Sequence, residues 1–283
     1  MQQYNMTSLL EAKALVNEFR ALDLQQSTIE DLFIRFKELT RYIPFLTTIV
    51  PKGATLHRFR VNTDGQTFSS LREIWYPPVE YIQKPGRLND EGEQLLYLAN
   101  HFKVALAEAK LPEGTFVTHL EVLVTESIRV TEIGMDEIFK ADPSTWQAIT
   151  ESIKTYRKHL YHNSAELLKL DQEIRDFWVE EFTKTVPVGE EHLYKRTIAI
   201  AKQFMGPDEV GGIMYPSIAF KGTGINIALK PIYADKYLRP VRLNFLEVKG
   251  EFFRCHATCT SLSFHKPIIY GDVIDDFDKY DCI

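Results

Sequence analysis

The amino-acid sequence predicts an α+β domain in which a mixed β-sheet is combined with two helical segments. Apolar residues recur at helical spacing over 1–50 and again over 136–205. Short runs rich in β-branched and aromatic residues, separated by glycine and proline, fill the stretches between and after these segments. Helices segregated from short strands in this way are typical of α+β folds.

The first helical segment, residues 1–50, carries two capping-box patterns, Ser8 with Glu11 and Ser27 with Glu30. These patterns and the apolar stripe that follows predict a helical hairpin. We expect this hairpin to pack against the main domain, and the alternative is an arm that binds a partner. The main domain would then occupy 51–283.

Within the main domain, LHRFRV and REIWYPP predict short strands, followed by a loop over 84–93, a buried strand over 94–99 and a helix over 101–110. FVTHLEVLV predicts a further strand. Residues 136–205 predict a helical insertion. GGIMYPSIAFKGTGINIALKP predicts two strands joined by an irregular loop, and the last strands predict a hairpin that turns near Lys249.

Composition narrows the classes of function. The 283 residues carry a formal net charge of −6, which argues against binding to a nucleic-acid backbone. No apolar run is long enough for a membrane span and the N-terminus does not resemble a secretory signal, so we expect a cytoplasmic protein without membrane partners. Cys255 and Cys259 flank a histidine, but this spacing predicts a strand rather than a metal site.

Two segments combine residue types that suit the chemistry of a nucleotide. The candidate residues in them are Arg87, Tyr97 and Glu108 in the first, and Tyr215, Ser217 and Asn226, in a glycine-framed loop, in the second. A guanidinium binds pyrophosphate through two parallel hydrogen bonds, and an aromatic ring stacks on a positively charged nicotinamide. A carboxylate stabilises a sugar that develops positive charge.

Each of these residues also has an interpretation without function. Arg87 would be a solvated loop residue, Tyr97 a core residue, and Glu108 a helix residue that points to water. Tyr-Pro-Ser would be an ordinary turn. The spacing alone leaves an enzyme and a binding domain both open.

Three segments, in order over roughly 53–245, resemble the RES-domain family of NAD-degrading toxins. GRLNDEGEQLLYLANHFKVALAEAK is similar to the first family motif, GGIMYPSIAFKGTGINIAL to the second, and LHRFR to the family's opening strand. The resemblance implies a fold similar to ADP-ribosyltransferases. It places the family's arginine at Arg58 or Arg87, its glutamate at Glu108 and its serine at Ser217. Leu88 departs from the pattern, since an aromatic residue often follows the Gly-Arg pair.

The resemblance implies an enzyme that cleaves the nicotinamide–ribose bond of NAD⁺ by hydrolysis or phosphorolysis. NAD would be the substrate, inorganic phosphate a possible co-substrate, and no resident cofactor or metal would be needed. Arg87, Glu108 and Ser217 would be catalytic, and Arg58, Tyr97, Tyr215 and Asn226 would bind substrate. A cognate antitoxin is the expected protein partner. The alternatives are a mono-ADP-ribosyltransferase that modifies a protein and a module that binds NAD or ADP-ribose without cleaving it.

Overall fold

The structure is a computed structural model that describes residues 4–63, 65–68, 70–135, 145–220, 224–249 and 252–259. Seven α-helices lie in these residues: α1 Met6–Ala21, α2 Ile29–Leu39, α3 Phe102–Ala109, α4 Thr145–Leu160, α5 Ala165–Thr183, α6 Lys195–Phe204 and α7 Pro231–Tyr237. The same residues form nine strands: β1 Thr47–Val50, β2 Thr55–Val61, β3 Leu96–Ala99, β4 Phe116–Val124, β5 Ile128–Glu132, β6 Gly212–Pro216, β7 Ile225–Leu229, β8 Leu238–Lys249 and β9 Phe252–Cys259.

The nine strands form one mixed sheet in the order β1-β5-β6-β7-β3-β2-β4-β8-β9. β5 and β6 pair in parallel, and the other neighbouring pairs are antiparallel. The predicted α+β class is confirmed. β8 and β9 pair as the predicted hairpin, while the turn itself, 250–251, lies outside the described residues. Cys255 and Cys259 lie on β9, which confirms the strand predicted for them.

A layer of helices covers one face of the sheet. The N-terminal helices α1 and α2 pack against α5 and α6, which come from the predicted helical insertion. Aromatic rings fill the junction between these helices: Phe19, Phe36, Phe177, Trp178 and Phe204. The predicted packing of the N-terminal hairpin on the rest of the chain is therefore confirmed. None of the described helices is both long and apolar enough to cross a membrane.

The capping boxes predicted for Ser8 with Glu11 and for Ser27 with Glu30 are wrong, because each box forms at neighbouring residues. α1 is capped by Asn5, with Ser8 at the third helical position. α2 is capped by Thr28 with Asp31. Since serine, threonine, asparagine and aspartate all cap helices well, neighbouring residues compete for the position and the sequence does not decide between them.

The other face of the sheet is covered by an irregular segment, by α7 and by part of α4. The strand predicted for REIWYPP is wrong, because Leu71–Glu73 form a 3₁₀ turn. The Ser70 hydroxyl accepts from the main-chain N–H of Arg72, and Glu73 accepts from the N–H of Ser70 at 2.7 Å. The prolines that follow lack the N–H groups that a strand needs for pairing.

One row of residues crosses the centre of the sheet and positions the candidate site. Its members face one another on neighbouring strands: Tyr215, Asn226, Ala99, His57, Glu121 and Arg242. Residues that are directly opposite on antiparallel strands project on the same face. α3 packs over this row through contacts with β2, β3 and β7.

Candidate functional site

A cleft of about 240 Å³ lies between α3 and the sheet. α3 contributes Ala105, Glu108 and Ala109 to its wall. The strands contribute the remaining lining residues: His57, Arg58, Phe59, Tyr97, Leu98, Ala99, Tyr215 and Asn226. Ala99 is the smallest side chain in the central row, so the floor of the cleft is lowest between Asn226 and His57.

The cleft opens where β2 and β3 diverge. The two strands pair at His57 and Ala99, after which they separate. Arg58 spans the gap, since its Nε donates to the carbonyl of Ile74 at 3.1 Å and its Nη1 to the carbonyl of Tyr97 at 3.0 Å. Burial, together with the charge of Arg60, lowers the pKa of Arg58 to about 10. Two donors of Arg58 therefore bind main-chain carbonyls on either side of the gap, so Arg58 stabilises the open cleft as well as lining it.

Glu108 is the centre of a short polar network. Its Oε1 accepts from the Ser217 hydroxyl at 2.6 Å and from the Asn226 side-chain amide at 2.7 Å. Ser217 is fully buried and Asn226 is 8% exposed, whereas Glu108 is exposed at the cleft mouth. The Ser217 hydroxyl also accepts from the N–H of Phe220 at 3.2 Å. The network fixes one carboxylate oxygen and leaves Oε2 without a hydrogen bond among the described residues.

The position of the Glu108 carboxylate on helix α3 is electrostatically unfavourable. Glu108 lies in the last turn of the helix, where the helix dipole disfavours negative charge. The hydrogen bonds from Ser217 and Asn226 offset this cost. Gly224 allows the close approach, because a Cβ there would lie 2.5 Å from a methyl of Val104 on α3.

Tyr97 is held by the loop that precedes β3. Its hydroxyl donates to Asn89 Oδ1 at 2.7 Å and accepts from the N–H of Leu88 at 3.2 Å. Gly86 leaves room for this arrangement, since a Cβ at that position would lie 2.5 Å from Asn89 Oδ1. Burial raises the pKa of the Tyr97 phenol, so it stays neutral and presents a fixed ring to the cleft.

Tyr215 lies beside Tyr97 at the same end of the cleft. Its ring packs edge-on against Phe182 of α5, with the ring centroids 6.0 Å apart. Burial, followed by the proximity of Tyr97, raises its pKa well above the ordinary value. The glycine-framed loop predicted for Tyr215 and Asn226 is wrong in one respect, because both residues lie on strands, β6 and β7. Residues 221–223, which belong to that loop, lie outside the described residues.

Arg87 lies behind the two tyrosines and is not among the described residues that line the cleft. Its Nη2 donates to the carbonyl of Lys184 at 3.0 Å, and its guanidinium carbon lies 5.4 Å from the centre of the Tyr194 ring. Its own carbonyl accepts from the Thr197 hydroxyl at 2.6 Å. Nη1 is buried and has no hydrogen-bond partner within the described part of the chain. The helical insertion therefore orients Arg87.

The structure thus brings most of the candidate residues together. Ser217 and Asn226 both donate to Glu108, and Glu108 and Asn226 line the cleft together with Tyr97, Tyr215 and Arg58. The expectation that Ser217 lines the same pocket is wrong in detail, since it is fully buried beneath Glu108 and is not among the lining residues. The expectation that Arg87 lines the same pocket is wrong in detail, since it is adjacent to the cleft and turned toward the helical layer. His57 and Phe59 also line the cleft and were not predicted, because strand pairing, not a local motif, places them there.

The residues of the cleft suit an organic ligand better than a metal ion. Its donors are an arginine, an amide, a hydroxyl and an imidazole, beside a single carboxylate. Within the described ranges there is no group of three or more histidine, cysteine, aspartate and glutamate side chains placed to hold a metal.

Comparison of the chain with protein-family models gave no match, and comparison with curated protein sequences gave none. The resemblance to the RES-domain family therefore stays a prediction.

Proposed function

We propose that this protein cleaves the bond between nicotinamide and ribose in NAD⁺. The observation that supports the proposal most directly is the network of Glu108, Ser217 and Asn226 at the mouth of the cleft. One carboxylate oxygen is fixed by two donors, and the other has no hydrogen bond among the described residues, so it is available to a ligand in the cleft. This arrangement suits a carboxylate that stabilises a positively charged sugar.

In the proposed reaction the bond from ribose C1″ to the pyridinium nitrogen breaks, and its electron pair goes to that nitrogen. Nicotinamide leaves as a neutral molecule, and positive charge develops on the ribose. Glu108 stabilises this charge, which exists only near the transition state. Water or inorganic phosphate then attacks C1″, and water loses a proton in doing so.

Arg87 is proposed to bind the pyrophosphate. Its buried Nη1 has no partner among the described residues, and a buried donor without a partner is costly unless a ligand satisfies it. Arg87 lies close enough to Tyr97 and Tyr215 to influence the pKa of both phenols. Because Arg87 does not line the cleft, this contact requires the side chains between Arg87 and the cleft to move when NAD⁺ binds. The pyrophosphate would then lie at the tyrosine end of the cleft, with the ribose at Glu108.

A mono-ADP-ribosyltransferase that modifies a protein is the second candidate. The exposure of Glu108 favours it, because a side chain of another protein can reach a carboxylate at the mouth of an open cleft. Both activities share the first step and differ in the acceptor. A module that binds NAD without cleaving it is the remaining alternative.

The test is release of nicotinamide from NAD⁺ by the purified protein, with products separated by chromatography. ADP-ribose in phosphate-free buffer indicates a hydrolase, and a phosphorylated ADP-ribose formed only with phosphate indicates a phosphorylase. Release that requires a protein acceptor indicates the transferase. Binding of NAD⁺ without release under all these conditions contradicts the proposal.

The role as a toxin with a cognate antitoxin rests on the family resemblance alone. It predicts that expression of the intact protein lowers cellular NAD⁺ and slows growth, and that a co-expressed inhibitor prevents both. Normal growth and normal NAD⁺ at high expression would count against a freely active toxin.

A further inference from the structure

Three side chains form a hydrogen-bonded chain that ends at the cleft. Asn244 Nδ2 lies 3.0 Å from His119 Nδ1, and His119 Nε2 lies 3.1 Å from His57 Nδ1. Asn244 is fully buried and His119 is 1% exposed, whereas His57 lines the cleft. The chain runs from β8 through β4 to β2, so the sheet itself holds it in place.

The chain fixes where the imidazole protons lie. An amide nitrogen only donates, so His119 Nδ1 accepts from Asn244. Neutral His119 then carries its proton on Nε2 and donates it to His57 Nδ1. Neutral His57 must in turn carry its proton on Nε2, for which no hydrogen bond is found among the described residues.

Both imidazoles are neutral at physiological pH. Burial is the largest cause, and it lowers the pKa of His57 to about 4 and that of His119 well below its ordinary value. His101 and Arg242 face His57 and act in the same direction. His57 is therefore unsuited to accept a proton or to carry positive charge at physiological pH. It can still donate a hydrogen bond through its neutral Nε2–H.

The position of this donor in the cleft indicates what it binds. His57 is two strands away from Asn226 in the central row, with Ala99 between them, which corresponds to roughly 10 Å. In the proposed binding mode the ribose lies at Glu108 and Asn226, and the pyrophosphate lies at the tyrosine end of the cleft. The nicotinamide ring then occupies the opposite end of the cleft, beside His57. The Phe59 ring lines the same end and offers an apolar wall.

We infer that the Nε2–H of His57 donates to the carboxamide oxygen of nicotinamide, and that His119 and Asn244 are positioning residues that fix its tautomer. The inference rests on the proposed function and adds a binding residue for the leaving group. It makes the cleft selective for a pyridine that carries a carbonyl acceptor.

The test compares His57→Asn with His57→Gln. The asparagine places an acceptor where Nδ1 was and keeps the contact with His119, but it removes the donor at the Nε2 position. The glutamine places an amide nitrogen near the Nε2 position. We expect His57→Asn to raise the KM for NAD⁺ and the inhibition constant of nicotinamide by about tenfold each, as for the loss of one hydrogen bond. His57→Gln should restore most of both.

His159→Asn, on the exposed surface of α4, is the matched control and should leave both constants unchanged. Equal constants for wild type and His57→Asn would overturn the inference, as would a glutamine variant as impaired as the asparagine variant.

Two measurements separate this inference from the proposed function, because neither needs turnover. ¹⁵N NMR of the imidazoles should find the proton on Nε2 of both His57 and His119. Saturation-transfer NMR should detect nicotinamide bound to wild type and to His57→Gln, and more weakly to His57→Asn. A proton on Nδ1 of His57, or no binding of nicotinamide to wild type, would overturn the inference. Absence of NAD⁺ cleavage with both NMR results as expected would contradict only the proposed function.

Discussion

Replacing Glu108 with glutamine removes one charge and little else. The amide oxygen of the glutamine can still accept from Ser217 and Asn226, which now donate to Oε1 at 2.6 and 2.7 Å. Hydrogen bonds to an ionised acceptor are stronger than those to a neutral one. We therefore expect the free energy of unfolding to fall by about 1 kcal/mol at most, and the fold to persist.

The effect on catalysis should be larger. Two unit charges about 4 Å apart interact by roughly 4 kcal/mol at an effective dielectric constant near 20 and by about 1 kcal/mol in bulk water. Glu108 is exposed at the cleft mouth but fixed by two donors, so an intermediate value of about 3 kcal/mol is expected. This corresponds to a fall in kcat on the order of a hundredfold. The KM should change by less than about threefold, because the ribosyl charge is absent from bound NAD⁺.

The assay is the initial rate of nicotinamide release over a range of NAD⁺ concentrations, with thermal unfolding measured on the same preparations. Glu113→Gln is the matched control, because it removes the same charge from an exposed position just beyond α3. It should leave kcat and KM unchanged. A Glu108→Gln protein that cleaves NAD⁺ at the full rate would refute the role of this carboxylate. A large fall in the unfolding temperature would instead assign Glu108 to the fold.

Three further predictions follow from the same geometry. In steady-state kinetics, Arg87→Ala should raise the KM for NAD⁺ at least tenfold. Arg87→Lys should have nearly the same KM as Arg87→Ala, because one ammonium cannot donate to both the Lys184 carbonyl and a pyrophosphate as two guanidinium nitrogens can. Ala109→Leu should narrow the cleft and weaken NAD⁺ binding in calorimetry, with a nearly unchanged unfolding temperature. The unfolded chain takes up a proton at His57 below pH 6.5, whereas the folded chain does so only near pH 4. The free energy of unfolding should therefore decrease by on the order of 3 kcal/mol as the pH falls from 6.5 to 4. Urea unfolding over this pH range should show a weaker pH dependence of stability for His57→Gln than for wild type.

Local patterns in the sequence predict much of this fold. β2, β4, the loop before β3, the pairing of β8 with β9 and the helices of the insertion from residue 145 onward all follow from periodicity and from turn residues. Residues 136–144 of the predicted insertion lie outside the described residues. The segment after Ser70 was predicted wrongly, because its apolar and aromatic residues resemble a strand while its cap and its prolines impose a turn. Such a conflict is decided by hydrogen bonds that the hydrophobic pattern does not contain.

The candidate site was predictable only in part. The motifs led to Glu108 and Ser217, which the fold brings into contact although 109 positions separate them. The motifs did not indicate His57, whose partner His119 is 62 positions away and is set by the register of β2 and β4. They also did not indicate that Arg87 turns toward the carbonyl of Lys184, 97 positions along the chain. The positions of His57 and Arg87 depend on strand register and on long-range packing, which local motifs do not specify.

The most direct test of the proposed cleavage is the fate of NAD⁺ incubated with the purified protein alone, with and without inorganic phosphate. We predict that free nicotinamide appears in equal amount to ADP-ribose or its phosphorylated form, and that Glu108→Gln lowers the rate about a hundredfold. Intact NAD⁺ after prolonged incubation with folded protein, with phosphate and with candidate protein acceptors would contradict it.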